Sequence, residues 1–162
     1  MEAKNMNYED RMLYAFVGKP EKFLWYKKAF LKYNHSGVSD FAWNWSWYAF
    51  FFGFWYLLYR KEYFWSLILI LIYALLGSTG GFYALLINSV IGGSLPYFVY
   101  LRYIRKKQEI ESKIQDEELR VEVMEKIGGT NKFVVGLGIA CIVLILLIIF
   151  IVLGGSIMMA NM

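Results

Sequence analysis

The chain has 162 residues, of which 59% are hydrophobic, 20% aromatic and 19% charged, with a formal net charge of +4. Mean hydropathy is +0.43, and the apolar fraction exceeds the roughly 45–50% typical of soluble domains. These values exclude a disordered chain, and the length of the apolar runs excludes a nucleic-acid binder; they point to an all-α integral membrane protein.

Residues 1–40 are polar and basic and read as amphipathic helices. Glu2, Glu9 and Asp10 stand beside Lys4 and Arg11 with no apolar stretch after them, so no signal peptide is expected and this end stays on the side of synthesis. Asn7 is placed to cap a helix running to about Val17, with Glu9 and Asp10 in its first turn and Gly18 as its stop. Pro20 opens a second helix on which Phe23, Tyr26, Phe30 and Tyr33 share one face. Lys27, Lys28 and Lys32 lie in its C-terminal half and are expected to meet the headgroups of an anionic leaflet, unless the aromatic face simply packs on other helices. Asn34-His35-Ser36-Gly37 supplies its stop. His35, the sole histidine, reads as a solvated turn residue rather than a metal ligand or a catalytic base.

Residues 41–62 form an aromatic segment, interfacial or re-entrant, holding Trp43, Trp45, Trp47 and Trp55 and closing in Tyr59-Arg60-Lys61. Tryptophan and tyrosine favour the headgroup zone, so these seven residues are expected to anchor the interface. Residues 63–101 carry no charge and read as a transmembrane hairpin: one helix from Tyr63 to Leu76, a turn at Gly77-Ser78-Thr79-Gly80-Gly81, and a second helix from about Phe82 to Leu101. Gly92-Gly93 and Pro96 are expected to loosen or kink that second helix.

Residues 102–132 are expected to form a charged cytoplasmic helix up to Gly128-Gly129, with Lys107–Glu111, Glu109–Lys113, Asp116–Arg120 and Glu122–Lys126 spaced for ion pairing. Arg102, Arg105, Lys106 and Lys107 at its start are expected to contact lipid headgroups. Residues 133–162 hold the clearest spanning helix, Phe133 to Leu153, followed by a tail. At 1.5 Å per residue this stretch matches the ~30 Å hydrocarbon core. Cys141, the only cysteine, sits inside it as an apolar filler.

Charge placement orders these elements. Lys and Arg concentrate in residues 1–40 and 102–132, and are absent from the 77–81 turn and from the tail after Leu153. Three crossings, with the N-terminus cytoplasmic, the C-terminus outside and residues 41–59 not crossing, satisfy the positive-inside rule throughout; the alternative, in which 41–59 is itself a span with its tryptophans at one end, puts one of the two basic regions outside.

Phe16-Val17-Gly18, Trp25-Tyr26, Trp43-Asn44-Trp45 and the run from Ala49 through Trp55-Tyr56-Leu57-Leu58-Tyr59-Arg60-Lys61 carry a resemblance. Over roughly residues 12–107 the chain resembles the bacterial membrane family DUF2628, a domain of unknown function. Asn88 to Arg102 is similar to that family's later Asn-x-x-Tyr segment, with wider spacing, and the charged helix and last span read as an extension. The resemblance implies a bacterial inner-membrane protein and supplies no catalytic residue. No catalytic, cofactor-binding or metal site is expected, and no cofactor. The expected role is structural or interaction-based, with membrane lipids as partners, a protein partner on the cytoplasmic face and homo-oligomerisation admitted by the exposed helix surface. Two other classes compete: a channel or transporter subunit lined by Asn88, Ser89 and Thr79, and a membrane enzyme using Asp40, Arg60 and Glu62.

Overall fold

The computed structural model describes residues 6–35, 38–76 and 81–160. The 77–80 part of the expected turn, Ser36-Gly37 and the side chain of His35 lie outside the described residues. The fold is all-α, relieved by one short antiparallel pairing of β1 (Asn34–His35) with β2 (Val38–Ser39). The chain divides into two units, Met1–Thr130 and Asn131–Met162.

In the first unit, α1 (Tyr8–Val17) begins where the Asn7 side chain accepts from the Asp10 N–H at 2.8 Å and ends at Gly18 in the left-handed region. Helix α2 (Pro20–Tyr33) buries the expected face, Phe23, Tyr26, Phe30 and Tyr33. That face packs on protein. Phe30 meets Tyr100 at 5.2 Å and Tyr103 at 5.5 Å between ring centroids, and Tyr33 meets Tyr97 and Tyr100 at 5.3 Å.

The aromatic segment is not one straight helix. It runs extended to Ser46, then forms α3 (Trp47–Phe52) and α4 (Phe54–Tyr59), separated by Gly53 at φ +45°. Six residues rise only about 9 Å, so neither helix crosses a bilayer. Helix α5 (Tyr63–Leu76) packs on α4, with the Ser66 hydroxyl donating to Phe54 O at 3.1 Å.

Helix α6 (Gly81–Lys113) departs from expectation by running unbroken from the apolar stretch into the charged one, with Pro96 inside it. Proline has no N–H to give the carbonyl four residues back. That carbonyl, Gly92 O, instead accepts from Ser46 N at 2.8 Å, and Gly93 O accepts from Asn44 N at 3.1 Å. The absence of side chains makes this approach possible. A Cβ on Gly93 would stand 2.1 Å from the Trp43 ring, and one on Gly92 would stand 3.0 Å from Phe50 Cβ. The extended Trp43-Asn44-Trp45 strip is therefore laid against a glycine window in α6.

The charged helix expected over residues 102–127 is interrupted after Lys113. Helix α7 (Glu117–Ile127) restarts from Asp116, whose side chain accepts from Leu119 N at 2.9 Å. Lys107–Glu111, Glu109–Lys113 and Glu122–Lys126 pair within their helices. Arg120 instead turns its Nε to Ile114 O at 2.7 Å, because the break exposes that carbonyl. Helix α7 docks on α1 through backbone contact. Gly129 N donates to Phe16 O at 2.8 Å, and a Cβ on Gly128 would lie 2.8 Å from Phe16 Cα. Arg11 pairs with Glu118 across the same joint, and Lys107 of α6 pairs with Glu9 of α1 at 2.5 Å.

The second unit is α8 (Lys132–Ala160), with Asn131 Oδ1 accepting from Phe133 N at 3.0 Å. Most apolar side chains from Phe133 to Val152 are exposed around it, while Val134 is buried and Cys141 half-buried.

Three spanning helices were expected. Among the described residues, one helical stretch holds a window long and apolar enough to cross a membrane. That window falls in α8, because the adjoining α7 is charged. Helix α5 is apolar but has 14 residues, about 21 Å. Helix α6 runs on from its apolar part, with Gly92-Gly93 and Pro96, into the charged residues after Leu101.

Candidate functional site

The link between α4 and α5 gathers most of the buried charge in the first unit. Tyr59 ends α4, Arg60 and Lys61 form the turn, and Glu62 precedes α5. Lys61 holds a φ of 63°, an uncommon conformation for a residue with a side chain. The turn is fixed by Glu62 N donating to Leu57 O at 2.8 Å and Lys61 N to Leu58 O at 3.0 Å.

This geometry points Arg60 inward. Arg60 is 3% exposed, and its Nη1 donates to Val17 O at 3.1 Å, the carbonyl left over at the end of α1. Its guanidinium lies 4.5 Å from the Tyr26 ring centroid, a cation–π distance, and 5.9 Å from that of Phe16. Arg102, on α6, donates to Arg60 O at 2.5 Å and to Ile127 O at 3.1 Å. Its Nε lies 3.5 Å from Glu62 Oε1, and Arg105 Nη2 lies 3.7 Å from the same oxygen. Lys61 Nζ donates to Gly128 O. Cations thus meet the negative carbonyl ends of α1 and α7, where a helix dipole favours them.

Burial pushes the Glu62 carboxyl above its usual range, against the pull of Arg102 and Arg105. Burial likewise lowers Arg102, partly offset by Glu62. Burial, then the Arg102 and Arg60 charges, lower Lys61. Beside the cluster, the Tyr26 and Tyr56 hydroxyls lie 3.1 Å apart, and burial raises Tyr56 well above the ordinary phenol.

The residues expected at the membrane interface separate into three sets, exposed, half-buried and buried. Trp43 and Trp47 are 52% and 60% exposed, while Trp45, Trp55, Tyr59 and Lys61 are half-buried. Arg60 was expected to reach the headgroups as an anchor, and the structure buries it instead. Arg102, expected at the lipid surface, is also buried, because two backbone carbonyls and Glu62 offer it partners. Lys27 pairs with Asp10 at 2.6 Å, Lys32 Nζ donates to Asn44 Oδ1 at 3.3 Å, and Lys107 pairs with Glu9. Lys106 pairs with Glu109 at 2.7 Å, while Lys28 and Arg105 are exposed.

Sequence reasoning missed the pairing of Arg102 with the 60–62 turn. One signal was available: Glu62 is the only acidic residue between Asp40 and Glu109. A lone carboxylate in so apolar a stretch needs a cationic partner. The groups weighed for a pore are engaged internally, since Asn88 Oδ1 accepts from Tyr73 OH at 2.5 Å and Ser89 Oγ donates to Leu85 O at 2.8 Å. Thr79 lies outside the described residues. Among the described residues no group of three His, Cys, Asp or Glu side chains is placed to hold a metal ion.

The first unit also exposes large apolar side chains: Phe41, Trp43, Trp47, Tyr48, Phe51 and Phe52 before and on α3, and Phe64, Leu67, Leu71 and Leu75 on α5. Lys22 adjoins them, its Nζ 4.7 Å from the Tyr48 ring centroid.

The model of a family described as "Protein of unknown function (DUF2628)" matches residues 7–104. The match takes in Arg60, Lys61, Glu62 and Arg102 and stops short of α7. No curated protein and no solved structure matches the chain.

Proposed function

The chain belongs to DUF2628, and on that premise we propose that it is a structural or interaction protein of the bacterial inner membrane, without catalytic activity. The observation that carries this reading is the exposed aromatic and aliphatic surface of α3 and α5 together with the uncharged, mostly exposed stretch of α8 from Phe133 to Val152. Soluble monomers rarely expose large apolar patches. In this reading α8 crosses the bilayer. The α3–α4 segment lies in the interface, with Trp43 and Trp47 at headgroup depth and Lys22, Lys28 and Arg105 toward anionic lipid.

The finer reading has three crossings, formed by α5, by α6 as far as Leu101, and by α8, with the N-terminus cytoplasmic and the C-terminus outside. It is supported by the concentration of Lys and Arg in residues 1–40 and 102–132. The shortness of α5 is met by local thinning and by Tyr63 and Phe64 at the interface. The charged surface of α6 and α7 then faces the cytoplasm and is where a protein partner would dock.

A Cys141→Ser chain carrying Ser112→Cys tests both levels. Resistance to alkaline carbonate extraction, with labelling by an impermeant thiol reagent only after cells are opened, is the expected result. Extraction by carbonate would contradict membrane integration, and labelling on intact cells would contradict the proposed orientation.

A further inference from the structure

We propose that the Arg60 turn is an anion-binding site that takes a phosphate group, presented by a phospholipid headgroup or as free phosphate. Arg60 has five N–H donors. One Nη1 contact reaches Val17 O, while Nε and Nη2, both buried, have no hydrogen-bond acceptor among the described residues. The rings of Tyr26 and Phe16 stabilise the cation through their faces but do not accept its in-plane hydrogens. A buried guanidinium with unused donors carries a desolvation cost that an acceptor with two oxygens would offset.

The surroundings favour an anion over a neutral acceptor. Arg60, Lys61, Arg102 and Arg105 converge on the turn, and Glu62, at 3.5 and 3.7 Å from Arg102 and Arg105, is the carboxylate among them. Lys19 stands at the rim, its Nζ 5.7 Å from the Tyr59 ring centroid, with Glu21 3.9 Å away. Positive charge therefore exceeds negative at the turn. Lys61 is half-buried and Arg105 exposed, so the cluster has an edge open to solvent. The planar fork of Arg60 matches two oxygens of a phosphate, and Lys61 adds a mobile point charge at the entrance. In this chain the Gly128 carbonyl already occupies Lys61, so an incoming phosphate competes with the end of α7 for that amine.

The free-phosphate form of the proposal does not depend on the membrane reading; the headgroup form rests on it. The test uses the full chain in dodecyl maltoside at constant ionic strength, following Tm during titration with inorganic phosphate and, separately, dihexanoyl phosphatidic acid. A ligand that binds only the folded state raises Tm saturably. The expected result is a saturable rise with half-saturation shifted about tenfold in Lys61→Met, the loss of one charge-assisted contact, and no rise in Arg60→Gln. Because Arg60→Gln also removes the tie to Val17, Lys61→Met decides the matter if the first variant does not fold. A rise with both probes supports a general phosphate site, and a rise with the lipid alone assigns the phosphate to a headgroup. No saturable rise with either probe overturns the proposal. So does a rise that is unchanged in Lys61→Met, which would reflect acyl chains on the apolar face for the lipid, or binding away from the turn for inorganic phosphate.

Discussion

Arg102 reaches 42 residues back along the chain to the carbonyl of Arg60, and its side chain is 10% exposed. Breaking a buried pair of this kind by truncating one partner costs about 3–5 kcal/mol. Arg102→Ala is therefore expected to lower Tm sharply in a thermal melt, whereas Lys28→Ala on the surface should leave it nearly unchanged. Glu62 adds a pH signature. Its carboxyl is raised in the folded state, first by burial, so the folded chain holds that proton more tightly than the unfolded one. The associated stability is present below the unfolded value near 4.5 and is lost as pH rises through the folded value. The Tm of the wild type minus that of Glu62→Gln should fall as pH is raised from 4 toward neutrality; a difference that grew with pH would contradict the burial argument. A chain-local reading placed both arginines at a membrane edge, because each follows an apolar run. What it lacked was the partner, since the carbonyls that capture them sit at the ends of α1 and α7, far off in sequence.

Helix limits were legible where a local capping signal exists. Asn7, Gly18 and Pro20 bound α1 and α2 as their chemistry requires, and the Phe23–Tyr26–Phe30–Tyr33 face is the buried one. Legibility failed where tertiary contact replaces a local signal. Gly92, Gly93 and Pro96 read as weakening a helix, yet α6 continues because Ser46 and Asn44 N–H groups satisfy its carbonyls. The break before α7 escaped notice because it is made by Asp116 capping within sequence of good helix formers. Removing that cap with Asp116→Ala should cost about 1 kcal/mol. The α1–α7 joint is stricter. A Cβ on Gly128 would meet Met124 O at 2.8 Å and Phe16 O at 2.9 Å, both backbone atoms. Gly128→Ala should lose on the order of 1–3 kcal/mol by overpacking and speed amide exchange at Gly129, whose N–H is held by Phe16 O.

At the scale of the molecule, the two units answer different constraints. The first has a true core of aromatic side chains between α1, α2 and α6, and exposes apolar surface on α3 and α5. The second is a single helix with almost no buried surface, whose outward aliphatic side chains suit a hydrocarbon solvent. Composition made legible one helix long and apolar enough to cross a membrane but overstated the number that qualify, since apolar content alone does not fix helix length. The central claim is that α3 faces lipid while the Arg60 turn stays in protein. It is tested most directly by a nitroxide at Phe51, 68% exposed, in a Cys141→Ser chain reconstituted into phosphatidylglycerol bilayers. High collision with oxygen and low collision with a water-soluble nickel chelate at Phe51 is the result expected. Free access of the nickel chelate would place α3 in water and contradict the account.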